Sequence, residues 1–319
     1  MFWQLQTFVA KSVAASYALN CRRSGSAPVT AENNETQGNT MNRLITKVAV
    51  AASLAAGIAA ATNVANAGSV LDKVLESKTL TVAVGTDWGK MSFLNDNHQL
   101  DGYDIDVAKG VAEHLGVQIK FVTPGWDVIA SGQWQGRWEM AMGQMTPTAA
   151  RAEKFDFPVI YFYDRVVAVV HKDSKATKLA DLNGRTIGVA AGSAEESYAN
   201  HTFAADWEGS APVRYQFKPG AVKTYASTNV AFDDLRLGDG VRLDAVITVR
   251  TVVSDAISAG YPIKLLGDPL YSPPGVIPVL HGDKEFSDKI AAAVQSMKDD
   301  ATLSKLSIKW YGVDYTTEK

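Results

Sequence analysis

Between residues 70 and 311 the hydrophobic pattern keeps changing its period. Short runs of β-branched apolar residues alternate with stretches where apolar residues recur every three or four positions. The first kind predicts strands and the second amphipathic helices. Residues 79–84 (TLTVAV) predict a strand ended by Gly85. Over residues 104–115, Ile105, Val107, Ala108, Val111, Ala112 and Leu115 fall on one helical face, and Gly116 follows as a C-terminal stop. Residues 118–122 and 139–142 predict further strands, with a helix starting over 126–131 and a loop over 143–148. The series restarts after Leu182-Asn183-Gly184. Strands are predicted at 165–171, 186–190, 213–217, 245–249 and 263–266, and helices at 193–199, 227–237, 252–259, 283–299 and 302–311. Strands interleaved with helices predict an α/β architecture. Two such units with extended crossings between them leave a cleft, where ligands meet strand ends and helix N-termini.

The first 67 residues follow a different pattern. From Met41, Arg43 and Lys47 precede an apolar, alanine-rich stretch over 48–61, and Ala65-Asn66-Ala67 fits an A-x-A cleavage site. This predicts a secretory signal peptide over 41–67, cleaved after Ala67, and a periplasmic location. The apolar stretch is too short to favour a membrane span. Residues 1–40 precede a methionine that already opens a complete signal, so they read as an over-extended start. They hold Cys21, the only cysteine. An exported chain without further cysteines has no disulfides and must rely on packed cores.

Of the 319 residues, 252 follow Ala67. That length predicts two lobes, which we place at 68–162 plus 271–319 and at 163–270. The whole chain has a formal charge of -3, and removing the five basic and two acidic residues of 1–67 brings it to −6. With no basic patch, nucleic-acid binding has no electrostatic basis. The five histidines are scattered, so no metal site is expected. A phosphate-binding G-x-x-x-x-G-K-[ST] loop and a G-x-S-x-G elbow are both absent from the sequence. No cofactor is expected.

Five segments carry a resemblance. They are GYDIDVAKGVAEHLG from Gly102, TPGWDVIASGQWQGRWEMAMGQMTPTAARAEKFDFP from Thr123, DLNGRTIGVAAGSAEESY from Asp181, RLDAVIT from Arg242, and IAAAVQSMKDDATLSKLSIKWYGVDYT near the end. In this order they resemble the polar amino-acid class of bacterial extracellular solute-binding proteins, family 3, over nearly the whole exported chain. The resemblance implies a two-lobe type II periplasmic binding protein fold with two hinge crossings. It implies a monomer that closes on a small ligand and delivers it to an ABC permease and its ATPase.

The resemblance also assigns roles to residues. Met145-Thr146-Pro147-Thr148-Ala149-Ala150-Arg151-Ala152 matches the family's M-T-x-T-P-E-R-A, with Ala149-Ala150 in place of Pro-Glu. It implies that Arg151 grips a ligand carboxylate, for which a guanidinium supplies two parallel N–H donors. Thr146 would join it, and Gln144 on the same loop would meet the ligand side chain. Trp126 and Trp88 would be apolar walls. Trp134 and Trp138 read as packing residues. Asp87 and Lys90 follow the first strand. Lys90 in the cleft would call for an extra anionic group on the ligand, Asp87 would suit a cationic one, or the two could pair with each other. Ser193, in Gly192-Ser193-Ala194, would close on the carboxylate from the other lobe, or serve as a plain N-cap.

One departure affects ligand identity. The pattern R-x-D-A-x-x-x-D ends in an aspartate that pairs with the ligand ammonium, but Arg242 to Val249 ends in valine. A desolvated ammonium needs an anion. Asp87 or Glu195 takes that place, or the ligand lacks a free α-amine, or the affinity is reduced. The competing function is an enzyme on the same scaffold, of the cyclohexadienyl or arogenate dehydratase type. It needs a carboxylic acid in the cleft with a raised pKa, and the motifs assign none.

Overall fold

A computed structural model describes residues 70–318. The expected signal peptide, the 1–40 extension and Cys21 lie outside the described residues. Two five-stranded sheets organise the chain. In the first, Thr79–Ala83 pairs in parallel with Gln118–Val122 on one side and Met140–Ala141 on the other. Val279–Leu280 then runs antiparallel between Met140–Ala141 and Phe155–Asp156. In the second, Thr186–Ala190 pairs in parallel with Ala221–Tyr225 and Ala245–Val249. Val166–His171 lies antiparallel to Ala245–Val249 and to Ile263–Tyr271.

Each sheet is covered on both faces. Leu80 and Val82 pack with the Tyr103–Leu115 and Lys284–Asp299 helices through Ile105, Val111, Ile290 and Val294. Ala83 and Ala141 face the opposite core of Ile129, Trp134, Trp138 and Phe155. In the second sheet, Val166, Ala168 and Val170 point into one core while Val167 and Val169 point into the other. This two-residue alternation, apolar on both faces, is what a sheet buried between helix layers requires. Gly116 ends the Tyr103–Leu115 helix in the left-handed region, its N–H donating to the Ala112 and Glu113 carbonyl oxygens.

The chain passes between the sheets through Ile160–Tyr163 and Pro274–Val276, which pair antiparallel with each other. Two adjacent extended crossings form a hinge.

One predicted strand is not a strand. Residues 213–217 form no ladder, and the second sheet's edge is Ala221–Tyr225 instead. Val213, Tyr215 and Phe217 do alternate into the core. Their backbone is taken by side chains. Tyr198 OH donates to the Arg214 carbonyl oxygen at 3.0 Å, the Gln216 N–H donates to Tyr198 OH at 3.3 Å, and the His201 ring bonds the Phe217 carbonyl oxygen at 2.9 Å.

Candidate functional site

The lobes meet around a cavity of about 110 Å³. Its first-lobe wall is the turn after Thr79–Ala83, the N-terminus of the Trp126–Ser131 helix and the loop after Met140–Ala141. Its second-lobe wall is the strand ends near Ala190, Ala226 and Ile247, with the helices that follow them. Asp87, Trp88, Trp126, Gln144, Thr146, Arg151 and Ser193 all line it. These are seven of the eight residues singled out from the sequence.

Lys90 is the exception. The Gly89–Met91 turn points Met91 inward and leaves Lys90 exposed. Its N–H donates to Asp255 Oδ2 at 2.9 Å, and its ammonium lies 3.6 Å from Asp255 Oδ1. Lys90 therefore joins the lobes at the surface and adds no charge to the cavity.

Arg151 is 7% exposed. It sits in the short Ala149–Ala152 helix, whose N-cap Thr148 accepts from the Arg151 N–H. Arg151 Nη1 donates to the Thr146 carbonyl oxygen at 2.8 Å, and Nη2 to the Gly192 carbonyl oxygen of the other lobe at 3.0 Å. The guanidinium lies over the Trp126 indole, 5.6 Å from its centre, a cation–π arrangement. Burial lowers its pKa, and the nearby Glu195 carboxylate opposes that shift.

Trp88 and Trp126 meet edge to face at 5.5 Å. Their close packing depends on Gly143, at φ +121°, where a Cβ would lie 2.6 Å from Trp126 Cζ3 and 2.9 Å from Trp88 Cζ3. Gln144 also has a positive φ, 50°. Its N–H donates to Tyr161 OH at 2.9 Å. Trp134 and Trp138 are buried in the first-lobe core, away from the cavity.

Ser193 is the N-cap of the Ala194–Ala199 helix, its Oγ accepting from the Glu196 N–H at 3.0 Å. Its hydroxyl also supports the Glu195 carboxylate. Glu195 lines the cavity and carries a pKa raised by burial, against the opposing pull of its own N–H, Arg151 and Ser193. Asp87 lies at the mouth, and its carbonyl oxygen accepts from Asn229 Nδ2 at 2.6 Å.

Val249 lines the cavity together with Ile247 and Val252. It is the N-cap of the Arg250–Ser258 helix and makes no side-chain cap. Asp164, from the hinge crossing, does that work. Its Oδ2 accepts from Thr251 Oγ1 at 2.6 Å and from the Thr251 N–H at 3.4 Å. Met91, Ser227, Thr228, Thr248 and Val252 also line the cavity but carry no motif. Ser227 caps the Thr228–Leu235 helix, its Oγ accepting from the Val230 N–H.

The arrangement places one buried cation, two carboxyl groups and several hydroxyls in an otherwise apolar cleft between two lobes. It suits a small zwitterion or carboxylate.

The sequence profile of bacterial extracellular solute-binding proteins, family 3, matches residues 80–313. The L-cystine-binding protein TcyJ of Escherichia coli (strain K12) is 28% identical over 250 residues, which is 77% of this chain and 88% of that protein. A probable amino-acid ABC transporter-binding protein of Haemophilus influenzae is 26% identical over 274 residues, 85% of this chain and 99% of its own. Among solved structures, the ancestral amino acid-binding protein AncCDT-1, a precursor of cyclohexadienyl dehydratase, is similar with a TM-score of 0.65 and 28% identity, covering 76% of this chain and 100% of its own. The two lobes are those of the type II periplasmic binding fold.

Proposed function

Because the chain belongs to the bacterial extracellular solute-binding proteins, family 3, we propose that it is the periplasmic binding component of an ABC importer. It takes a small amino acid, or an amino-acid-like carboxylate, into the interlobe cleft and delivers it to the membrane permease and its ATPase. The observation that carries this reading is Arg151. The guanidinium is buried, is held by a carbonyl oxygen from each lobe, and uses two of its five N–H donors in those bonds. A ligand carboxylate on the remaining donors supplies the counter-charge and reinforces the closed arrangement. Thr146 and Ser193 flank that end, and Trp88, Trp126, Ile247 and Val249 enclose the rest. An ammonium on the ligand meets Glu195 or Asp87, since position 249 offers no charge. A cavity of roughly 150 Å³ accommodates benzene, so about 110 Å³ favours a ligand of few heavy atoms.

Thermal shift of the protein against small aliphatic amino acids, L-cystine, L-arginine and amine-free carboxylates tests this. A ligand at 100 times its Kd stabilises by about 2.7 kcal/mol. One ligand should stabilise the wild type and fail to stabilise Arg151→Ala. No response across the panel would count against the cleft as a ligand site.

A second reading is supported by Glu195 alone. A half-buried cleft carboxyl with a raised pKa beside a guanidinium is what a general acid for dehydration needs. Incubation with cyclohexadienyl acids, followed by the ultraviolet absorbance of an aromatic product, separates the two. Turnover abolished by Glu195→Gln would favour the enzyme, and its absence alongside ligand-induced stabilisation would favour the carrier.

A further inference from the structure

The turn that carries Arg151 is tied to both lobes. Toward the second lobe, the Ala149 N–H donates to the Ala204 carbonyl oxygen at 3.1 Å, and the Asp206 N–H donates to the Pro147 carbonyl oxygen at 3.3 Å. Thr148 and Ala205 thus form an antiparallel bridge across the lobes. The bond from Arg151 Nη2 to Gly192 joins the same turn to that lobe. Phe203 and Ala205 root the second-lobe half of the bridge in its core.

In the first lobe the turn is held by His281, a residue that no ligand contact uses. His281 stands one residue beyond Val279–Leu280, which pairs with Phe155–Asp156. Its Nδ1 lies 2.7 Å from Asp156 Oδ1, and its Nε2 lies 2.9 Å from the Ala152 carbonyl oxygen. Ala152 is the last residue of the Ala149–Ala152 helix, where carbonyl groups lack a partner within the helix.

A carboxylate oxygen and a carbonyl oxygen both accept, and neither donates. A neutral imidazole has one N–H, so it serves one of them and turns a lone pair on the other. An imidazolium has two N–H groups and serves both. Turning the ring over would set C–H groups against both oxygens and lose both bonds.

We propose that His281 is held as an imidazolium and acts as a positioning residue for the Arg151 turn, so that the docking of the second lobe on that turn weakens when the ring loses its proton.

The surroundings agree. The Asp156 carboxylate, and after it the Ala152 carbonyl, hold the ring's pKa above its ordinary value, against a smaller opposing effect of burial. The Glu153 carbonyl acts in the same direction as these two acceptors. The side chains of Glu153 and Lys154 are exposed. On the segment of His281 itself, Asp283 accepts from the Leu71 and Phe286 N–H groups, and Lys284 pairs with Asp288. The sign follows from these partners. Below the ordinary value of about 6.5 the ring is charged, and as pH rises through the raised value the proton leaves. The neutral ring keeps its one N–H on the stronger acceptor, Asp156, and presents a lone pair to Ala152. The turn then loses its first-lobe anchor, and the bonds that Ala149 and Arg151 make to the second lobe weaken. A ligand carboxylate on Arg151 would accordingly bind more tightly to the protonated form, a consequence that rests on the carrier reading above.

Two signals of the free protein test this. Nitrogen-15 spectra of the histidine rings should show two N–H groups on His281 at pH 6. They should also give a midpoint above about 6.5 that falls in Asp156→Asn. Hydrogen exchange of the Ala149 amide, corrected for its intrinsic rate, reads the bridge between the lobes. Its protection should drop roughly two- to fivefold across the ring's midpoint, the range of an exposed ion pair. The drop should move to lower pH together with the ring in Asp156→Asn. Glu195 and Asp164 also carry raised pKa values, so the step due to His281 is the part that disappears in His281→Ala. A single N–H on His281 at pH 6, or a midpoint at or below the ordinary value, overturns the charge assignment. Protection of Ala149 in His281→Ala that matches the wild type at every pH overturns the positioning role. No ligand is added, so neither outcome depends on the carrier reading.

Discussion

Arg151 Nη2 donates to the carbonyl oxygen of Gly192 at 3.0 Å, and that bond joins the two lobes directly across the cleft. The residue expected to clamp the ligand therefore also helps to hold the lobes together. Removing a buried, hydrogen-bonded charge from an interface costs about 2–5 kcal/mol. Arg151→Ala should weaken carboxylate binding by roughly thirtyfold or more. Arg151→Lys should recover only part of the loss, because an ammonium cannot span both carbonyl oxygens and a ligand in the planar fork. Calorimetric titration of the two variants checks this, and small-angle scattering should show a more open average shape for Arg151→Ala.

Gly143 is the point where the loop passes closest to the two indoles. A methyl group there would lie 2.6 Å from Trp126 and 2.9 Å from Trp88, at a φ of +121° that an L side chain rarely adopts. Gly143→Ala should cost about 1–3 kcal/mol of stability through overpacking, with strain from the backbone in addition. The displaced rings should change both the tryptophan emission and the affinity. Denaturant unfolding and ligand titration of this one variant measure the two effects separately.

The parts of the fold legible in the sequence are those where local pattern and tertiary packing agree. The helical face from Ile105 to Leu115 and the strand at Val166–His171 are read directly from their periods. Residues 213–217 mislead because a side chain that alternates into a core need not belong to a ladder. Tyr198 and His201 bind the backbone of this stretch through their side chains, and Asn183 holds the N–H of Lys218 just after it. The true edge strand, Ala221–Tyr225, buries only Tyr225 and so gives little apolar signal. In the site, the motif that ends at Arg151 carries its own meaning. Lys90 depends on which way one short turn faces, and the sequence does not fix that. In the sequence Asp104 opens a predicted helix and Asp164 precedes a predicted strand, and both look like ordinary surface acids. Their burial comes from elements distant in the chain.

Val249 caps its helix without a side-chain hydrogen bond and faces the cavity. Val249→Asp would place an acceptor at that helix N-terminus, a change worth about 0.5–2 kcal/mol in favourable cases. Asp164 already accepts from the Thr251 N–H, so the gain should fall at the low end. The new carboxylate should strengthen binding of ligands with a free ammonium and weaken binding of amine-free carboxylates. A panel of amino acids and their 2-oxo counterparts, titrated against wild type and variant, tests the sign for each class. Equal change for both classes would place position 249 away from the ligand amine.

The pH dependence of stability follows from carboxyl groups that burial holds above their usual range. Asp164 is pushed up to about 6 and Asp104 up to about 7, in both cases chiefly by burial. Unfolded, both titrate near 3.9. Above that value the native state therefore binds more protons than the unfolded state, and stability falls as pH rises. For Asp164 the fall runs from about pH 4 to about 6, and for Asp104 from about 4 to about 7. Each is worth roughly 3–4 kcal/mol at most. Glu195, also raised by burial, acts in the same direction. Asp181, Asp234 and Asp300 are held below the usual range by hydrogen bonds, so their contribution is present above about pH 4 and is lost only in stronger acid. Stability should therefore peak near pH 4–5 and decline toward neutrality. Asp104→Asn should flatten the decline up to about pH 7, and Asp164→Asn only its lower part. Urea unfolding at half-unit steps from pH 4 to 8 measures it. A wild-type curve that instead rises toward pH 7 would mean that both carboxyl groups are ionised in the native protein.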